Sequence, residues 1–128
     1  MKLMLVSAGA VMAFGATAAG VYSADRQGGP TAAEVALGDS VFHGKAGGAL
    51  CYVCHGPAAK GVAGLGPDLT DTEWLNSDGT LASIEKVVLE GVPKPKKMPA
   101  PMPPKGGGQL TAAQVRAVAA YVYSLSHK

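Results

Sequence analysis

The sequence predicts an all-α domain of three main helices joined by long loops. Three observations carry that prediction. Apolar residues recur with helical spacing in three separate segments, each opened by a threonine. No segment alternates apolar and polar residues convincingly with period two. Finally, 18 glycines and 9 prolines among 128 residues punctuate the chain between those segments, so the intervening stretches read as loop.

Residues 1–24 stand apart from the rest. Lys2 is followed by an uncharged run from Leu3 to Ala24, apolar from Leu3 to Phe14, with small residues at Ala16-Thr17-Ala18-Ala19. A basic start, an apolar middle and a small-residue end read as a secretory signal peptide. The alternative is an uncleaved membrane anchor, since about 20 apolar residues can span a bilayer. Gly9, Gly15 and Gly20 weigh against it. Under either reading the remainder is exported. Residues 25–30 (DRQGGP) read as a linker, and residues 31–128 as one domain.

The first helix is predicted from Ala32 to His43. Thr31-x-x-Glu34 forms a capping box that satisfies free N–H groups at the helix start. Val35, Leu37, Val41 and Phe42 supply an apolar stripe, and Gly44 a stop. The segment GKAGGAL then bends toward Cys51. Residues 56–79 form a long irregular section, and loops of that length in a small domain usually bind something. Thr80 caps the second helix, Leu81 to Glu90, with Ile84, Val87 and Val88 on its buried side and Gly91 closing it. From Pro93 to Pro104 six of twelve residues are proline, which predicts a stiff, extended, non-helical stretch. Thr111-x-x-Gln114 is a second capping box. Val115, Val118, Ala119, Val122 and Leu125 continue the third helix to about Ser126.

Beyond residue 30 the only aromatic residues are Phe42, Tyr52, Trp74, Tyr121 and Tyr123. A domain of roughly a hundred residues buries little surface and often needs a metal, disulfide or other staple. The side chains alone underfill this core.

The two cysteines of the chain lie in CYVCHG, Cys51 to Gly56. A thioredoxin-like dithiol would need a βαβ setting, and helices and loops surround this motif. A structural zinc site wants four ligands, and Cys51, Cys54 and His55 supply three. A plain disulfide accounts for the thiols but leaves the histidine and the underfilled core unexplained. Covalent haem attachment uses every residue of C-x-x-C-H. On a short helical turn the sulfurs of Cys51 and Cys54 match two vinyl groups on one porphyrin edge, and the imidazole of His55 projects onto the iron.

With that motif placed, the segment from about Thr31 to His127 resembles the small bacterial class I (monohaem) cytochromes c. The resemblance rests on Gly38 and Phe42 in the first helix, C-x-x-C-H-G, Gly66-Pro67-x-Leu69, Met-Pro-Pro-x-Gly-Gly and a last helix ending VAAYVYSL. It implies the class I cytochrome c fold around one covalently attached haem c, with the terminal helices crossed near Gly38 and Tyr121. It also implies histidine and methionine as axial iron ligands, His55 being the first. The carbonyl of Pro67 would accept the Nδ1 proton of His55.

The residues themselves leave the methionine open. Met98 and Met102 both sit in the proline-stiffened loop, where packing explains a methionine less well than it does in a helix. The resemblance assigns Met102, because Met102, Pro103, Pro104, Gly106 and Gly107 match the family element, with Met98 as the runner-up. His43 and His127 read as solvated helix-end residues. Trp74 reads either as core or as a partner of the haem.

Six-coordinate iron leaves no open position for a substrate. The resemblance therefore implies an electron-transfer protein rather than an enzyme: a periplasmic one-electron carrier between respiratory or dehydrogenase partners. A tethered cytochrome subunit of an oxidoreductase is the alternative, and a haem gas sensor or small peroxidase is a third. From Gly91 onward there are six basic residues and no acidic one. Lys94, Lys96, Lys97 and Lys105 surround the methionine loop and suit a redox protein with an acidic docking face. The absence of interleaved aromatic and basic residues argues against nucleic acid. A membrane contact would come through the N-terminal segment.

Overall fold

A computed structural model describes residues 28–128. The signal or anchor at 1–24 and the first half of the linker, residues 25–27, lie outside the described residues. Four helices follow in order: α1 (Ala32–Phe42), α2 (Cys51–His55), α3 (Leu81–Glu90) and α4 (Ala112–Ser126), with a 3-10 turn at Pro104–Gly107 before the last. Among the described residues there is no strand, only isolated antiparallel bridges at Val62/Gly66 and Val92/Met102. None of the described helices is long and apolar enough to cross a membrane.

Both capping boxes form. The Thr31 hydroxyl accepts from the Glu34 backbone N–H while the Glu34 carboxylate accepts from Thr31, and Thr111 and Gln114 do the same for α4. Thr80 accepts from the Ser83 N–H at the start of α3, and Gly91, at φ +70°, ends that helix. Each side-chain acceptor satisfies a backbone donor that no helical turn can reach.

The terminal helices pack directly on each other, and glycine makes the contact. A Cβ on Gly38 would stand 2.7 Å from the Cβ of Tyr121 and nearer still to the carbonyl of Ala117. Ala117, Ala119 and Ala120 of α4 are fully buried, so two backbones approach where larger side chains would hold them apart. This close approach turns the α1 face. Gly38, Val41 and Phe42 are its buried residues, whereas Leu37, expected in the apolar stripe, is 40% exposed because it lies about 100° round the helix from Gly38.

The core is small. Val41, Phe42, Ile84, Val88, Leu110, Val115, Val118 and Val122 are buried, and Phe42 is the one fully buried aromatic among the described residues. Val87 and Leu125 are half-buried at its margin. The proline stretch is irregular as far as Pro103, but Pro104 opens the 3-10 turn. Proline suits the first position of such a turn, where a backbone N–H would have no partner. The turn then kinks at Lys105 and Gly106, both with positive φ.

Candidate functional site

The C-x-x-C-H motif forms α2, a helix of five residues. Neighbouring backbone rather than a side-chain cap holds its start: the Leu50 N–H donates to the carbonyl of Gly106 at 3.0 Å. Its end is held by Gly61, whose N–H donates to the carbonyl of His55 at 2.7 Å. The chain then folds back, with the Leu69 N–H bonded to Ala59 at 2.8 Å.

That return brings Pro67 over the end of α2. The Nδ1–H of His55 donates to the Pro67 carbonyl at 3.0 Å, the bond expected from the resemblance. A carbonyl only accepts, so the ring proton sits on Nδ1 and the lone pair on Nε2. Burial disfavours the imidazolium and lowers the pKa of His55, outweighing the opposing effect of the Pro67 bond. A neutral, oriented imidazole with a lone pair to offer is what a metal ligand requires.

No disulfide joins Cys51 and Cys54, so both sulfurs are open to another bond. Burial pushes the Cys51 thiol up to about 11, and the nearby Cys54 adds to the effect. A thiol that resists ionisation is a poor nucleophile for dithiol exchange. Among the described residues no three His, Cys, Asp or Glu side chains converge as a metal set.

A cavity of about 260 Å³ opens beside α2, lined by Cys51, Cys54, His55, Met98, Met102 and Trp74 together with apolar residues of α3 and α4. Sixty residues or more away in sequence, Val118 and Val122 of α4 form part of the same wall. Both methionines thus reach the space to which His55 belongs. They differ in their backbone. Met102 is paired in both directions with Val92, at 2.9 and 3.0 Å, whereas Met98 follows Lys97, which sits at φ +58°. The donor set of two thiols, a neutral imidazole and a thioether suits a porphyrin and its iron, and the apolar lining suits the macrocycle. The residues fit haem c.

Several contributors had no signal in the sequence. Glu73 and Asn76 tie the proline stretch to the preceding loop, through a 2.7 Å ion pair with Lys97 and a 3.0 Å bond from the Lys96 N–H. Lys97 is therefore partnered, while Lys94 and Lys96 have exposed side chains and Lys105 is half-buried. Leu50, Val53 and Leu65 are exposed yet line the cavity, marking its mouth as apolar. His43, expected as a solvated helix end, is half-buried and bonded on both sides. His127 stacks on Tyr123 with ring centroids 3.8 Å apart, outside the cavity. Trp74 both lines the cavity and packs on the core.

Comparison with known proteins agrees with this geometry. The family model for cytochrome c matches residues 35–126. The Cbb3-type cytochrome c oxidase subunit FixP of Bradyrhizobium sp. (strain ORS 278) is 39% identical over 94 residues, covering 71% of this chain and 30% of that protein. The Cbb3-type cytochrome c oxidase subunit CcoP of Rubrivivax gelatinosus is 35% identical over 92 residues, covering 72% of this chain and 26% of that protein. The chain thus spans less than a third of the length of these curated relatives. The crystal structure of cytochrome CL from Methylophaga aminisulfidivorans MPT superposes with a TM-score of 0.54 at 22% identity, over 83% of this chain and 58% of that one; it speaks for the fold. On the family match and the fold together, this chain belongs to the cytochrome c family and carries covalently bound haem c with its iron.

Proposed function

We propose that this protein is a one-electron carrier of the bacterial cell envelope, exported by the segment at 1–24 and folded as a single cytochrome domain over 31–128. Cys51 and Cys54 would hold haem c through their sulfurs, and the His55 imidazole and the Met102 thioether would bind its iron. The observation that carries the reading is the apolar cavity that Cys51, Cys54, His55 and Met102 line together.

When bound, haem c supplies a couple between ferrous and ferric iron. The chain's residues set how that couple behaves. His55 stays neutral and is aimed by Pro67, so the ligand keeps its orientation in both oxidation states. Met102 is presented by a backbone already paired to Val92, which limits the ordering cost of a weak thioether ligand. Methionine ligation favours the reduced state, and the apolar lining disfavours the extra charge of the oxidised one; both raise the potential. With His55 and Met102 both committed to the iron, no position would be left for a substrate, so the output would be exchange of electrons rather than catalysis. Lys94, Lys96 and Lys105 orient an acidic redox partner toward the apolar mouth formed by Leu50, Val53 and Leu65.

A second reading has support of its own. The curated relatives are cbb3-type oxidase subunits, which favours this domain serving an oxidase, tethered to the membrane if residues 1–24 are retained. The mass of the native protein separates the two: loss of residues 1–24 supports the free carrier, and their retention the tethered one.

The ligand assignment is tested by Met102→Ala and Met98→Ala in the oxidised protein. Met102→Ala is expected to lose the weak long-wavelength band that His/Met ligation gives this family, and Met98→Ala to keep it. The opposite pattern moves the ligand to Met98.

A further inference from the structure

His43 caps the end of α1, next to Phe42, whose ring lies near both His43 and His55. Phe42 contacts the His43 ring edge-on at a centroid distance of 5.1 Å and the His55 ring at 6.5 Å. Both nitrogens of His43 face oxygen acceptors. Nδ1 lies 2.9 Å from the carbonyl of Asp39 and 2.8 Å from its carboxylate, while Nε2 lies 2.7 Å from the carbonyl of Pro57. Carbonyls and carboxylates accept, and a neutral imidazole has one N–H to give. Only the imidazolium satisfies both sides. In that form the ring joins the end of α1 to the backbone two residues beyond His55.

The surroundings agree. The charged or titratable groups facing the ring are Asp39 on its own helix and Tyr121 on α4, whose ring lies 6.1 Å away. The segment after α2 presents the uncharged Pro57 carbonyl. Tyr121 titrates higher than usual through burial and the charge of Asp39, so it stays neutral where histidines titrate. The bonds to Pro57 and Asp39 and the charge of Asp39 raise the pKa of His43 against the opposing effect of its burial.

We propose that His43 is a proton-linked positioning residue of the redox cycle: the protein takes up a proton at His43 on gaining an electron and returns it to water on losing one. The inference rests on the electron-carrier reading. A positive charge packed through Phe42 against His55 favours the added electron. By reciprocity, the added electron favours the proton. With haem c bound, a redox partner would supply the electron and water the proton taken up at one imidazole nitrogen of His43, over the pH range between the titration of His43 in the oxidised protein and its higher titration in the reduced one. Within that range the midpoint potential falls as pH rises. Above it, the neutral His43 ring can donate to only one of its two sides, Asp39 or Pro57.

The test uses the haem-loaded protein from about pH 5 to 9, where histidines titrate. Midpoint potentials are measured alongside nuclear magnetic resonance titration of the His43 ring in both oxidation states. The expected result is a lower His43 pKa in the oxidised form, with a potential that falls through the same interval. The fall is lost in His43→Gln, which cannot titrate. In Asp39→Asn it moves to lower pH, because the neighbouring negative charge is gone while the backbone carbonyl remains. If His43→Gln does not fold, the wild-type titrations and Asp39→Asn still decide. Equal His43 titration in the two oxidation states, or an unchanged fall in His43→Gln, overturns the proposal while leaving the carrier reading intact. A protein without reversible one-electron chemistry overturns both.

Discussion

The carbonyl oxygen of Pro67 accepts a hydrogen bond from Nδ1 of His55 at 3.0 Å, and Gly66 makes the approach possible. A Cβ on Gly66 would stand 2.7 Å from the Cys54 carbonyl oxygen and 3.1 Å from that same Nδ1. Gly66→Ala is therefore expected to lift the loop off α2 and to destabilise the protein by about 1–3 kcal/mol, as overpacking does. Because the bond orients the imidazole and strengthens it as a ligand, the midpoint potential should shift as well. Denaturant unfolding and potentiometry on the haem-loaded variant check both parts, and an unaltered potential would count against the ligand role of His55.

The crossing of the terminal helices makes a second prediction. Gly38→Ala places a methyl group against backbone, the carbonyl of Ala117, which cannot rotate away. The helices must separate, at a cost of about 1–3 kcal/mol or more. Thermal unfolding should show a clearly lower midpoint with a helical far-ultraviolet signal retained before the transition. Wild-type stability would mean that the helices do not meet at Gly38.

Glu34 links the same two helices. Its carboxylate receives the Arg116 Nε–H at 2.6 Å and the Thr31 N–H at 2.9 Å, and these bonds, Arg116 foremost, hold its pKa below the ordinary 4.5. A depressed carboxylate stabilises the fold above its unfolded pKa, and the contribution disappears as pH falls through the folded value. Glu34→Gln keeps the cap but removes the charge. It should lose roughly 0.5–1 kcal/mol near neutral pH, in keeping with a half-buried surface pair, and the difference from wild type should vanish in acid. Denaturation curves at the two pH values check this; a difference that persists in acid would assign the effect to packing.

Where a signal was local, the sequence showed it. Thr31, Thr80 and Thr111 announce the helices because capping involves neighbours three residues apart, and Cys51, Cys54 and His55 announce the site because one helical turn holds them. The irregular chain was less legible. Nothing near Lys97 indicates its pairing with Glu73, 24 residues away, and nothing near His43 indicates Pro57, because both contacts depend on how loops return across the molecule. Leu37 was misplaced for a related reason: periodicity finds an apolar stripe, but the Gly38–Ala117 contact decides which side of it turns inward. The 3-10 turn at Pro104 was hidden among prolines that otherwise hold the chain extended.

The lysines around the cavity divide by their partners. Lys97 is engaged by Glu73, whereas Lys94 and Lys96 are exposed. The double variant Lys94→Glu with Lys96→Glu should slow electron exchange with an acidic redox protein at low ionic strength and weaken its salt dependence. Exposed charges act over a screening length of about 10 Å at 0.1 M salt. Stopped-flow rates across a salt series check this, and unchanged rates at low salt would remove these two lysines from the docking face.

The central claim is that two sulfur atoms bind the haem to this chain. Mass spectrometry of the matured protein, after extraction with acidified organic solvent, tests it most directly. The expected result is a peptide spanning Cys51 to His55 that retains the full mass of one haem with both thiols consumed. A colourless polypeptide bearing two unmodified cysteines, with the pigment in the solvent, would contradict it.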